Sequence, residues 1–125
     1  MTYQYKKAPT NRQLRVSEII RQEMAQIFTR GEVFHPAFEK IPFTILDVKT
    51  SADLKISTIF IHSVDEKFDK DLVKALNILA PEYRKKLSVR MQLKFLPQIR
   101  FEIDRHIDDK IRLEKLLDTI GKEKV

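Results

Sequence analysis

The chain contains no cysteine, no tryptophan and only two glycines. Without cysteine, a disulfide scaffold, a thiolate metal site and a cysteine nucleophile are all excluded. Gly31 and Gly121 stand ninety residues apart, so no P-loop, GxGxxG or GxSxG motif is possible. No apolar run approaches the roughly 18–20 residues of a transmembrane helix. The opening MTYQYKKAPTNRQ lacks the apolar centre of a secretory signal. These absences lead us to expect a cytoplasmic chain without membrane attachment. The three histidines, His35, His62 and His106, sit in separate segments with no H-x-x-x-H or HExxH spacing. No metal, cofactor or catalytic group is therefore nominated. His62, inside a strand-type run, reads as a half-buried structural residue.

What is present suits one domain: 125 residues, 42% hydrophobic and 34% charged. That apolar share supplies a real core and excludes an intrinsically disordered chain. Lysine and arginine number 24 against 18 acidic residues, a net charge of +6. In a small domain such a surplus most often serves a phosphate-bearing polymer.

Periodicity divides the chain into elements. Residues 1–10 are polar and basic without a period and read as a flexible tail, and residues 11–120 read as the folded domain. From Asn11, the residues Val16, Ile19, Ile20, Met24, Ile27 and Phe28 recur at helical spacing. Thr10 or Asn11 can cap this helix, and Gly31 suits its left-handed stop. A loop around His35-Pro36 and Ile41-Pro42 leads to two β-type runs, Phe43 to Thr50 and Lys55 to Val64, joined through Ser51-Ala52-Asp53-Leu54 as a hairpin. In the second run Ile59 and Ile61 share one face while Phe60 and His62 share the other, and the pattern leaves the inward face open. Leu72, Ala75, Leu76, Leu79, Ala80, Tyr83, Leu87 and Met91 then form a helical stripe running through Pro81. Proline removes a backbone donor and clashes with the preceding turn, so a kink at Leu79-Ala80-Pro81 is expected. After Pro97, Ile99, Phe101 and Ile103 alternate with Arg100, Glu102 and Asp104 as a third strand. Asp108 or Asp109 can cap a last helix bearing Ile111, Leu113, Leu116, Leu117 and Ile120. Gly121 closes it, and residues 121–125 are a tail. The order α-β-β-α-kink-α-β plus a C-terminal helix predicts an α+β domain, a three-stranded sheet with helices packed on one face.

The charge is not spread evenly. Residues 1–30 hold six basic and two acidic side chains, net +4, and residues 69–98 hold seven and three, again net +4. Residues 31–54 are net −2, and the remaining stretches balance. In the second cluster, at about 100° per residue, Arg84, Lys86 and Arg90 flank the Tyr83/Leu87/Met91 stripe and Lys85 points away from it. These residues, with Lys94, form a candidate phosphate-contacting surface, and Arg12 and Arg15 with Lys6 and Lys7 form a candidate RNA-binding arm. A merely solvated helix face is the plain alternative. Tyr83, Phe95 and Phe101 fall at stripe or strand-core phase and are expected in the core.

Several segments together resemble a known family. The opening Arg12-Gln13-Leu14-Arg15-Val16-Ser17-Glu18-Ile19-Ile20-Arg21-Gln22-Glu23 is similar to the start of ribosome-binding factor A. So are Asp47-Val48-Lys49-Thr50-Ser51-Ala52-Asp53-Leu54, the stretch Leu76 to Arg84, Leu96-Pro97-Gln98-Ile99-Arg100-Phe101, and Ile111 to Leu117. They occur in the family's order, with fitting gaps. The resemblance implies a type-II KH-like fold and an assembly factor rather than an enzyme. Such a factor binds the small ribosomal subunit and its rRNA late in maturation. It aids processing of the 5′ end of that RNA, works alongside assembly GTPases, and matters most during growth in the cold. A KH domain clamps nucleic acid with a GxxG loop, and this family commonly has Ala-x-Gly at that place. Here Leu79-Ala80-Pro81 offers no glycine, so RNA contact falls to the flanking side chains. We expect a monomer. The rival is a protein-interaction or oligomerisation module whose edge strands pair with a partner and whose basic patch is incidental. A small RNA-modifying enzyme would need a convergent polar pocket, which the scattered histidines do not suggest.

Overall fold

In the computed structural model, residues 8–33, 41–93 and 95–104 are described. The expected C-terminal helix, Lys94, Lys6 and Lys7 lie outside them. The first helix, α1, spans Asn11–Arg30. Thr10 starts it with a reciprocal cap: its hydroxyl accepts from the Gln13 amide at 3.2 Å while its own amide donates to Gln13 Oε1 at 2.8 Å. Gly31 ends it at φ 62°, with its amide returned to the last turn. A β-carbon there would meet nothing within 4 Å, so the backbone angle alone favours glycine.

Strands β1 (Phe43–Thr50) and β2 (Ile56–Ser63) pair antiparallel, and β3 (Gln98–Ile103) pairs parallel to β2, giving the order β1-β2-β3. The register slips between Ile45 and Asp47. That bulge at Leu46 explains why β1 shows no clean alternation. Side chains switch faces every residue, so Ile45 and Val48 cannot share a face on a regular strand. The extra residue places them opposite Ile61 and Ile59 respectively, and the apolar row stays on the helix side. The hairpin closes through Ser51 and Asp53: the Ser51 hydroxyl donates to the Asp53 carboxylate at 2.6 Å, and that carboxylate accepts the Lys55 amide at 3.1 Å. Both interactions, the hydroxyl first, hold the Asp53 carboxyl below its usual range. Leu54 is held at φ 60°, a left-handed conformation costing a leucine about 1 kcal/mol, and it packs its side chain on the core.

A single 3-10 turn, Glu66–Phe68, precedes helix α2 (Asp69–Ile78), and helix α3 (Ala80–Arg90) follows. Asp69 accepts the Ser63 amide at 3.2 Å and pairs with the Ser63 hydroxyl, tying the end of β2 to the start of α2. Between the helices and the sheet, Ile20, Met24, Ile27, Ile59, Ile61, Leu72, Leu76 and Leu87 are wholly buried. Each such side chain contributes roughly 1.5–3 kcal/mol of apolar burial. Phe28 packs edge-on against Phe43 at 4.9 Å and Tyr83 at 5.1 Å, and Tyr83 against Phe101 at 5.5 Å. The inward face of β2 carries Ile59 and Ile61. Phe60, on the other face, is also fully buried, with the Lys49 ammonium 5.6 Å from its ring centre. His62 is half-buried in β2.

Candidate nucleic-acid interface

The bend that orients α3 is a matter of proline chemistry. Pro81 has no amide to donate, and its ring clashes with the Asn77 carbonyl in a continuous helix. The chain therefore turns at Leu79 (φ −90°, ψ 0°) and restarts, with Pro81 tolerated in the first turn of α3. Leu79 still donates to Ala75 O at 3.2 Å, and its own carbonyl accepts from Glu82 and Tyr83 at 3.0 and 3.1 Å. Leu79 is thus used by helix on both sides, and no glycine stands at the junction to bare the backbone for close phosphate approach.

Side chains on α3 divide by direction. Tyr83 and Leu87 face the core. Arg84 reaches the segment before β3, its Nη2 donating to Leu96 O at 2.8 Å and its Nε to Pro97 O at 3.2 Å. Arg90 reaches the other way, to α1 and the second residue past its end: Nη1 contacts Glu23 at 3.3 Å and Gln26 at 3.0 Å, and Nη2 pairs with Glu32. Its side chain is only 17% exposed, and the Glu32 hydrogen bond raises its proton affinity further. Lys85 and Lys86 project into solvent between these anchors, with Val89 and Ser88 beside them. The helix thus brings two lysines out and commits two arginines to its neighbours.

Arg12 and Arg15 are exposed on the first turns of α1. That helix meets α3 through its later half, by Glu23, Gln26 and Phe28. Eight to eleven residues separate Arg15 and Arg12 from Glu23, about 12–17 Å along the axis. The two basic clusters are therefore separate surfaces. Phe95 corrects an expectation: it is 80% exposed and not in the core, whereas Tyr83 and Phe101 are at 1%. Its phase continued the stripe on paper, but the helix ends at Arg90 and the chain leaves it before Phe95.

Two further contacts escaped the sequence reading. Asn77 grips Phe101 on the outer edge of β3, donating to its carbonyl at 3.0 Å and accepting its amide at 2.8 Å. Under α1, Gln13 donates to Thr50 O at 3.0 Å, and the Ser17, Thr50 and Ser57 hydroxyls form a buried chain at 2.8 and 2.9 Å. The only sequence signal for the latter was polar residues, Gln13 and Ser17, on the buried side of an apolar stripe. Among the described residues no cluster of three His, Asp or Glu could hold a metal ion, and no helix is long and apolar enough to cross a membrane.

Four of the five segments that carried the family resemblance meet here. Gln13 and Ser17 join Thr50, Asn77 joins Phe101, and Arg84 joins Leu96 and Pro97. The family model described as Ribosome-binding factor A matches residues 12–117. The chain belongs to the ribosome-binding factor A family. It is 37% identical to ribosome-binding factor A of Rhodopseudomonas palustris over 115 residues, covering 92% of this chain and 84% of that one. Its fold is similar to the crystal structure of ribosome-binding factor A from Thermus thermophilus, with a TM-score of 0.62, 17% identity, and coverage of 74% of this chain and 97% of that one. It is also similar to a Thermus thermophilus ribosome-binding factor A model fitted into a cryo-electron-microscopy map of a 30S complex, with a TM-score of 0.54, 15% identity, and coverage of 77% and 94%. The architecture is thus the α+β, KH-like one of the family, without the glycine clamp.

Proposed function

We propose that this chain is an assembly factor that binds the small ribosomal subunit through its RNA, with α3 as the contacting element. The observation that carries this is the pair Lys85 and Lys86, both exposed next to the bend, in a family whose Thermus thermophilus member has been fitted into a 30S complex. Lysines on a convex helix meet phosphates without reading bases, so the contact is sensitive to salt and to RNA shape rather than sequence. Arg84 and Arg90 act here chiefly by holding the helix in place, Arg12 and Arg15 offer a second, separate basic surface, and Lys94 is a further candidate contact. The work done is differential binding: the factor favours an immature RNA conformation and loses its site when that RNA refolds. The finer reading is a monomer acting late in maturation in the bacterial cytoplasm. It aids 5′-end processing of small-subunit rRNA and acts alongside assembly GTPases, with no cofactor and no catalytic group of its own.

The rival reading, partner binding through sheet edges, is disfavoured by specific contacts. Asn77 occupies the β3 edge at Phe101, and the Leu46 bulge interrupts the pairing geometry of β1. Co-sedimentation with precursor and mature small subunits, at low and high salt, tests the proposal. Preferential, salt-sensitive retention by precursor subunits is expected. Equal retention by both, insensitive to salt, would sink it.

A further inference from the structure

The sheet has two faces, and the described helices use one of them. Cross-strand register puts Val48, Ile59 and Phe101 in one row. That side takes the core: Ser17 of α1 bonds Thr50, Leu72 and Leu76 of α2 join the cluster, and Tyr83 of α3 packs on Phe101. The opposite face carries the rows Asp47-Phe60-Glu102 and Lys49-Thr58-Arg100. Rows of that composition ordinarily stand in water. Here Phe60 is 0% exposed and Thr58 1%, and Glu102 Oε2 is buried with no hydrogen-bond partner among the described residues. Phe60 does not belong to the core cluster. Lys49, 5.6 Å from the ring centre, cannot alone shield a side chain that buries on the order of 150–250 Å². The burial is a property of the single chain, so its cover belongs to the same chain.

We propose that residues 111–120 lie across this outer face, with Leu113, Leu116, Leu117 and Ile120 packed over Phe60 and Thr58. The occupant follows from where the chain goes and from its pattern. Strand β3 ends at Ile103, the register partner of Ile61, beside Phe60 on the neighbouring strand. Twenty-one residues follow Asp104, so the segment starts one strand away from the face it covers. Leu113, Leu116, Leu117 and Ile120 are spaced i, i+3, i+4 and i+7, one stripe of a helix. Such a stripe is about 10 Å long, matching the roughly 10 Å from the first to the third strand of the sheet. Residues 34–40 are flanked by Val33 and Ile41, both members of the core cluster on the helix side, and residues 1–7 hold no aliphatic stripe. The sheet is then closed on both sides by its own chain, and contact with the small subunit is left to the helix layer.

Two measurements on the full chain test this. In wild type, methyl-labelled at leucine and isoleucine, nuclear Overhauser contacts are expected between the Phe60 ring and the methyls of Leu113, Leu116, Leu117 or Ile120. A filtered experiment on mixed labelled and unlabelled chains should show none of them, because face and cover belong to one chain. The chain has no tryptophan, so Phe60→Trp adds a single emission reporter, which should emit as a buried indole and resist acrylamide. Leu116→Asp/Leu117→Asp in that background should shift the emission to the red and raise its quenching. Lys115→Ala, on the far side of the stripe, should change neither. Absence of those contacts in wild type would overturn the proposal, and so would contacts seen only between chains, which would make the occupant a second copy. A Phe60→Trp emission already that of an exposed indole, or one unmoved by the double aspartate variant, would overturn it equally. So would shielding that appears only when RNA is added.

Discussion

Two rows of side chains run along α3, and they teach opposite lessons about the same charge. The row toward the body contains Tyr83, Arg84, Leu87 and Arg90, and its two guanidinium groups are satisfied by Leu96, Pro97, Glu23, Gln26 and Glu32. The outer row contains Lys85 and Lys86, which project into solvent. Arginine's planar fork suits fixed, multi-point contacts, and lysine's hydrated point charge suits an exposed electrostatic surface. A charge count adds these residues together, whereas the fold separates them into holders and presenters.

The comparison can be broken from the inside outward. Leu87→Ala empties a fully buried position at the centre of the inner row, and should destabilise the fold by about 2–5 kcal/mol in denaturant unfolding. Arg84→Ala removes two charged hydrogen bonds to carbonyls, and should cost about 2 kcal/mol in the same measurement. Arg84→Lys should not restore it, because one ammonium cannot reproduce the two-point grip. Tyr83→Phe goes the other way. The phenol oxygen is buried with no hydrogen-bond partner among the described residues, and burial holds its proton well above the usual range. Removing it should leave stability unchanged or raise it by up to about 1 kcal/mol. At the outer row, Lys85→Ala/Lys86→Ala should shift stability by no more than about 0.5 kcal/mol, which is what separates presenters from holders.

Much of this architecture was legible before any coordinates. The stripe of α1, its cap at Thr10 and its stop at Gly31, and the break at Pro81 all follow from local chemistry that acts within a few residues. What was not legible depends on partners distant in sequence. Whether Arg90 is a surface charge is decided by Glu23 and Glu32, 67 and 58 residues away. The bulge at Leu46 reads as noise because it shifts the strand's parity midway. Phe95 shows the same limit: its spacing continued a helical pattern past the point where the helix had ended. Asn77 and Gln13 gave little warning because amides at helical positions look like solvent residues until a strand edge is docked against them.

Salt dependence of binding to small ribosomal subunits tests the division of labour on α3 most directly. With wild type and Lys85→Ala/Lys86→Ala compared over a salt series, the slope of log affinity against log salt should shrink by about 1.4–1.8 in the double variant, the loss of two phosphate contacts. Its melting temperature should equal that of wild type. An unchanged slope and affinity in a folded double variant would contradict the assignment of Lys85 and Lys86 as the RNA-facing pair.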